Sequence, residues 1–160
     1  MEERLTHSLG DSPPFSHDGI HDSQTHLAAP PFFYEQLRRE IALSVRTQIS
    51  FSAIKIIFER NIFEGQVSKV GAEDILRFSN ELRTLTRSED CIGRLGINEC
   101  IILISAGEVS ARRLISRLHA SQLLSVNHTL QISLSMVTSH PGETGLELLN
   151  RLDKAPLSTH

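Results

Sequence analysis

The chain has 160 residues, 39% of them apolar and 22% charged, a balance that suits one globular domain with a single core. Lys and Arg (16) against Asp and Glu (19) leave a formal net charge of -3, which argues against a general DNA or RNA binder, because that affinity rests on clustered, unneutralised positive charge. No apolar run approaches the ~20 residues that span a bilayer, and the N-terminus carries charge where a signal peptide has its hydrophobic segment. Cys91 and Cys100 are then expected as reduced thiols of a cytoplasmic protein, without metal.

Residues 1–31 are rich in Pro, Ser, His and Asp and show almost no apolar periodicity, so they read as a largely disordered tail. His7, His17, His21 and His26 fall inside it at spacings that match no compact ligand set, and are expected as solvated histidines. The folded domain is predicted over 32–155, with 156–160 as a short tail. Phe33, Leu37, Ile41 and Val45 recur every four residues and mark an amphipathic helix, for which Pro30-Pro31 is a suitable start. Phe51, Ile54, Ile56, Ile57 and Phe58 make a short apolar run with the character of a central strand. A second helix fits Glu73 to Thr86, with Ile75, Leu76, Phe78, Leu82 and Leu85 on its apolar stripe. Cys91–Leu95 and Cys100–Ile104 are predicted strands around a hairpin turn at Gly96-Ile97-Asn98-Glu99. A third helix is expected over Val109–Leu124, facing inward through Leu114, Ile115, Leu118 and Leu123. Leu130, Ile132, Leu134 and Met136 alternate with polar residues as a half-buried strand, and Gly145–Leu152 makes a last helix. The order α-β-α-β-β-α-β-α predicts an α+β fold: a central mixed sheet flanked by helices, the ferredoxin-like palm being one such arrangement.

One stretch adds a functional signal. Arg87-Ser88-Glu89-Asp90 is followed, after the five residues Cys91–Leu95, by Gly96-Ile97-Asn98-Glu99-Cys100. This resembles the GGDEF (diguanylate cyclase) family, in which an Arg-x-x-Asp product-binding inhibitory site stands five residues before a Gly-Gly-Asp/Glu-Glu-Phe turn. Other stretches agree in order. Asp22-Ser23-Gln24-Thr25-His26-Leu27 followed by Phe33 is similar to the family's opening Asp-x-Leu-Thr-Gly-Leu and helix phenylalanine, with Gln24 and His26 as departures. Ala72-Glu73-Asp74-Ile75-Leu76 stands where the family has Gly-Asp-x-x-Leu. Ser135 matches a late-strand serine, and Leu148, Leu149 and Asp153 resemble the helix that follows. The family's final Lys-x-x-Gly-Arg-Asn segment is absent.

The resemblance implies a GGDEF, nucleotidyl-cyclase-like fold and, with it, two sites that have fared differently. Joining two GTP molecules requires carboxylates that hold Mg²⁺ against the triphosphate, and Mg²⁺ takes hard oxygen ligands. Counted back from Ala72, the family's metal-binding aspartates fall on Ile56 and Phe58, and the acid of the turn falls on Asn98. Ile97 replaces the second glycine, and the guanine-reading Asn and Asp positions hold Glu64 and Glu73. Glu99 matches, and is read equally well as a solvent-facing hairpin residue. Catalysis and Mg²⁺ binding are therefore not expected, so the degenerate turn Gly96 to Cys100 supplies no catalytic residue. Arg87 and Asp90, by contrast, match the inhibitory motif. An arginine fork can donate to the O6 and N7 edge of guanine or to a phosphate, and a carboxylate can accept from guanine N1 and N2. Arg117 falls on the family's additional arginine once one residue is deleted, with Arg113 one turn earlier. Arg94 is a possible fourth cation, with a structural role preferred. The resulting reading is a catalytically inactive cyclic di-GMP receptor that signals through an unidentified protein partner; a homodimer bridged by the dinucleotide is what the resemblance suggests for such a site. The alternatives are a ligand-free interaction or dimerisation module of the same fold, and a residual diguanylate cyclase dependent on Glu99.

Overall fold

The structure, a computed structural model, describes residues 15–60, 71–121 and 130–159. In chain order its elements are α1 (Pro30–Thr47), β1 (Ser52–Arg60), α2 (Ala72–Leu85), β2 (Cys91–Gly96), β3 (Glu99–Ile104), α3 (Glu108–Ala120), β4 (Leu130–Thr138), α4 (Gly145–Lys154) and the two-residue β5 (Ser158–Thr159). The predicted order of helices and strands is the one found, with β5 added within the expected C-terminal tail. Leu123 and Leu124, expected at the end of the third helix, lie outside the described residues.

Sheet order is β2-β3-β1-β4-β5, so β1 is central, as its apolar run predicts. Among the described residues every pairing between these strands is antiparallel, which corrects the expectation of a mixed sheet. The reason is topological. Strands β1 and β2, joined through α2, run the same way but leave a slot between them, and β3 fills it in the opposite sense; β4 and β3, joined through α3, straddle β1 in the same manner.

Alternation along the strands divides the core in two. Ile54, Ile56, Phe58, Ile102 and Leu134 face Ile75, Phe78 and Leu82 of α2 and Leu114 and Leu118 of α3, and the Phe58 and Phe78 rings lie 4.4 Å apart. On the other face Ala53, Ile101, Leu103 and Val137 meet Phe33 and Leu37 of α1 and Leu148 and Leu152 of α4. Phe33 can sit on β2 only because residue 93 is glycine: a Cβ there would stand 2.5 Å from Phe33 Cδ2. Some residues of the predicted stripes face water, namely Val45 (57% exposed) and Leu76 (43%), because each helix covers only one side of a thin sheet.

The expected tail is corrected over residues 15–29, which pack against the edge of β2. Ala28 donates to the Ile92 carbonyl and accepts from the Arg94 amide, both at 2.9 Å, forming a parallel bridge to Gly93. Asp22, Thr25, Leu27 and Ala29 are buried. Asp22 Oδ2 accepts from Thr25 N (2.8 Å), from Thr25 Oγ1 (2.6 Å) and from Arg94 Nη1 (3.0 Å). His26 holds φ +59° at the position where the resembling motif has glycine, a conformation costly for most side chains but open to His. The segment is fixed by polar pairing more than by apolar repeats, so periodicity does not disclose it. Residues 1–14, with His7, lie outside the described residues.

Candidate functional site

After α2, Thr86 closes the helix by donating its hydroxyl to the Leu82 carbonyl at 2.8 Å, and the chain makes a tight turn over residues 87–90. Asp90 N donates to the Arg87 carbonyl (3.0 Å), and Arg87 N donates back to Asp90 Oδ2 (2.9 Å). The aspartate is half-buried. Burial pushes its carboxyl above the usual carboxylate range; the bond from the Arg87 amide pulls the other way, Glu89 adds to the rise, and the charges of Arg87 and Arg117 oppose it. Arg117 is thus brought into the electrostatic reach of Asp90.

The side chain of Arg87 is exposed and forms no ion pair with Asp90 or with any other acid among the described residues. Arg113 and Arg117 are likewise exposed on α3 and unpaired among the described residues. Arg94 stands apart from these three. It is fully buried, where its guanidinium donates to Asp22 Oδ2 (3.0 Å), Gln24 Oε1 (2.7 Å) and the carbonyls of Gly96 (3.2 Å) and Ile97 (2.8 Å) and lies 5.5 Å from the centre of the Phe15 ring. With its donors so engaged, Arg94 is a structural cation, and the suggested group of four ligand-facing arginines reduces to three.

A cavity of about 540 Å³ opens beside the Arg87–Asp90 turn. Sequence reasoning found one of its walls, the turn itself. The others come from His21 and His26 of the N-terminal segment and Phe32 and Gln36 of α1; they were missed because three segments distant in sequence meet there. Cys91 also lines it, and burial pushes this thiol up to about 11, Glu40 adding to the effect.

The hairpin lies at the other end of the sheet. Its turn is Ile97–Asn98, with Ile97 55% exposed. Ile56 pairs across from Cys100, and Phe58 N donates to the Asn98 carbonyl at 3.0 Å, so the positions that the resemblance assigns to metal ligands do cluster. Their side chains do not fit Mg²⁺: Ile56 and Phe58 are hydrocarbon and buried in the core, and Asn98 offers only a neutral amide. Glu99 is half-buried and faces Lys55 Nζ at 3.7 Å; that ammonium also meets Asp153 Oδ1 at 3.0 Å. Its side chain remains 32% exposed, so Glu99 faces both solvent and Lys55. Glu64 lies outside the described residues. Among the described residues no helix is long and apolar enough to cross a membrane.

No family model matches the chain, and no curated protein matches it. Solved structures do. A microbial GGDEF domain studied with bis-(3′,5′)-cyclic di-GMP superposes with a TM-score of 0.72 at 19% identity, over 85% of this chain and 89% of that one. The GGDEF domain of DgcB from Caulobacter crescentus, in complex with cyclic di-GMP, gives 0.71 at 16% identity, over 87% and 88%. The diguanylate cyclase SiaD from Pseudomonas aeruginosa, in complex with its activator SiaC, gives 0.70 at 22% identity and covers 97% of this chain. The chain has the GGDEF fold. It spans 61% of the SiaD chain. At these identities the likeness is one of fold.

Proposed function

We propose that this GGDEF-fold domain is a catalytically inactive receptor for cyclic di-GMP, held by Arg87 and Asp90 with Arg117, and that it signals by altered contacts with a protein partner. The observation that carries the reading is the unpaired, exposed Arg87 guanidinium beside a half-buried carboxylate whose Oδ1 has no hydrogen bond among the described residues. An arginine free of acids keeps its fork for a guanine edge or a phosphate, and a partly desolvated carboxylate gains from two donors on one base. Arg113 adds positive potential one turn from Arg117. Support for inactivity is chemical: two of the three positions assigned to metal ligation carry no donor atom, the third is neutral, and Glu99 is engaged by Lys55. Without a metal to neutralise the triphosphate, the main electrostatic source of phosphoryl-transfer catalysis is missing.

One observation favours the ligand-free module instead. The bond from Arg87 N to Asp90 Oδ2 gives Asp90 a turn-closing role that needs no nucleotide. Titration calorimetry separates the two. Saturable heat with cyclic di-GMP, weakened roughly 10- to 100-fold in Arg87→Ala with no change in melting temperature, is expected of the receptor, since charge-assisted hydrogen bonds contribute about 1.5–3 kcal/mol. Absence of heat at millimolar dinucleotide leaves the interaction module. Conversion of GTP with Mg²⁺ into cyclic di-GMP, abolished by Glu99→Ala, would establish the residual cyclase.

A further inference from the structure

We propose that the cavity beside the Arg87–Asp90 turn is a purine-base subsite, with Phe32 as its stacking wall and His21, His26 and Gln36 as its polar rim; this rests on the receptor reading and extends it. Its volume of about 540 Å³ falls in the roughly 300–1,000 Å³ range of small-molecule sites. The wall chemistry selects a base. Of the two adjacent phenylalanines at the start of α1, Phe33 is fully buried while Phe32 is left 39% exposed and lines the cavity, presenting an aromatic surface on which any base can stack. A helix start would ordinarily attract phosphate through its free amides. Here Pro30 and Pro31 lack them, and the N-cap, Ala29, has no side-chain oxygen. Phosphate is thus better served across the cavity by Arg87, leaving the α1 wall to the base. The His21 and His26 rings, 6.1 Å apart, and the Gln36 amide together supply both donors and acceptors, as the mixed edge of a purine requires.

These walls are held in place before any ligand arrives. Arg83, on α2, donates to the Thr25 carbonyl, and the buried Asp22–Arg94 pair fixes the same segment from below. The cavity therefore joins two pieces of the fold, the N-terminal segment and the α2–β2 turn, and a base seated on Phe32 would bridge them with little ordering.

The test is calorimetry on the full chain with cyclic di-GMP, using Phe32→Leu and His26→Asn, the latter chosen because Asn accepts the positive φ of residue 26. Tyr34→Leu, also exposed on α1 but outside the cavity, is the control. Loss of a stacking wall should weaken binding roughly 5- to 100-fold in Phe32→Leu, His26→Asn should weaken it less, and Tyr34→Leu should leave it unchanged. In competition, 5′-GMP should displace the dinucleotide while ribose 5-phosphate does not. Heat that vanishes in Arg87→Ala but is untouched in Phe32→Leu and His26→Asn would overturn the subsite and leave the receptor standing. Equal competition by ribose 5-phosphate would also overturn it, by showing that phosphate alone is read. No heat from the unaltered chain would remove both.

Discussion

At the end of the sheet where β2 turns into β3, Ile56 and Phe58 lie inside the core and the acid Glu99 faces a lysine. At the opposite end, where α2 hands over to β2, an unpaired arginine and a half-desolvated aspartate open onto a cavity. Both ends hang on the same strands, so one sheet holds an end whose charges are paired and an end whose arginine is left unpaired among the described residues. Backbone pairing demands the alternation of side chains and not their chemistry, so one set of strands can carry two ends of different character. The difference between the ends is then a matter of individual side chains and can be probed one residue at a time.

The largest effect is expected at the hairpin end. Asp22→Ala leaves the Arg94 guanidinium buried without its counter-charge, and loss of about 3–5 kcal/mol in urea unfolding is predicted; replacing both residues together, Asp22→Leu with Arg94→Met, should recover much of it. A single substitution that unfolds at the same urea concentration as the parent would mean that the pair does not anchor the segment. Midway along β2, Gly93→Ala pushes a methyl group into Phe33, for about 1–3 kcal/mol, visible as a fall in melting temperature. At the cavity end, Cys91 is the more accessible thiol, yet with its pKa raised to about 11 only ~1 in 1,000 molecules carries the reactive thiolate at pH 8. Mass spectrometry after alkylation of the native chain should show one slow adduct at Cys91, slowed further by cyclic di-GMP. Cys100, buried and pushed up to about 12, should react only after unfolding. Two rapid adducts would contradict this picture. The smallest effect concerns Glu143, at the same end of the sheet as Cys91. Its carboxylate accepts from Arg151 Nε (2.5 Å) and Nη2 (2.8 Å), a bond that holds its pKa below the usual range. A depressed folded-state value stabilises fully above the unfolded-state range and is lost as pH falls through the folded one. Glu143→Gln should therefore be less stable at neutral pH, by up to about 1 kcal/mol, with the gap closing on acidification; a gap that widens in acid would reverse the assignment.

What could be read directly from the sequence was whatever repeats locally. The four-residue spacing of Phe33 and Leu37, the stripe of Ile75, Phe78 and Leu82, and the alternation from Ile132 to Met136 depend on neighbours within one element. The Arg87–Asp90 turn was legible for the same reason, being a local motif. The N-terminal segment was not, because Asp22 and its partner Arg94 are 72 positions apart and neither carries periodicity. The cavity was hidden likewise: Phe32 reads as part of an apolar start to a helix, and His26 as tail, until tertiary contact sets them opposite Arg87. Parallel neighbours in the sheet were expected because alternating helices and strands suggest them; the slot filled by β3 is a long-range fact.

The grip of Arg94 on the hairpin carbonyls of Gly96 and Ile97 sets a practical limit on shortening this protein. A version trimmed to begin at Pro30 would keep the four helices and the longer strands found among the described residues, yet strand a cation in the interior with two main-chain oxygens as its company. An autonomous piece therefore has to retain the segment from Phe15 to Ala29, and the hairpin serves as the peg to which that segment is tied.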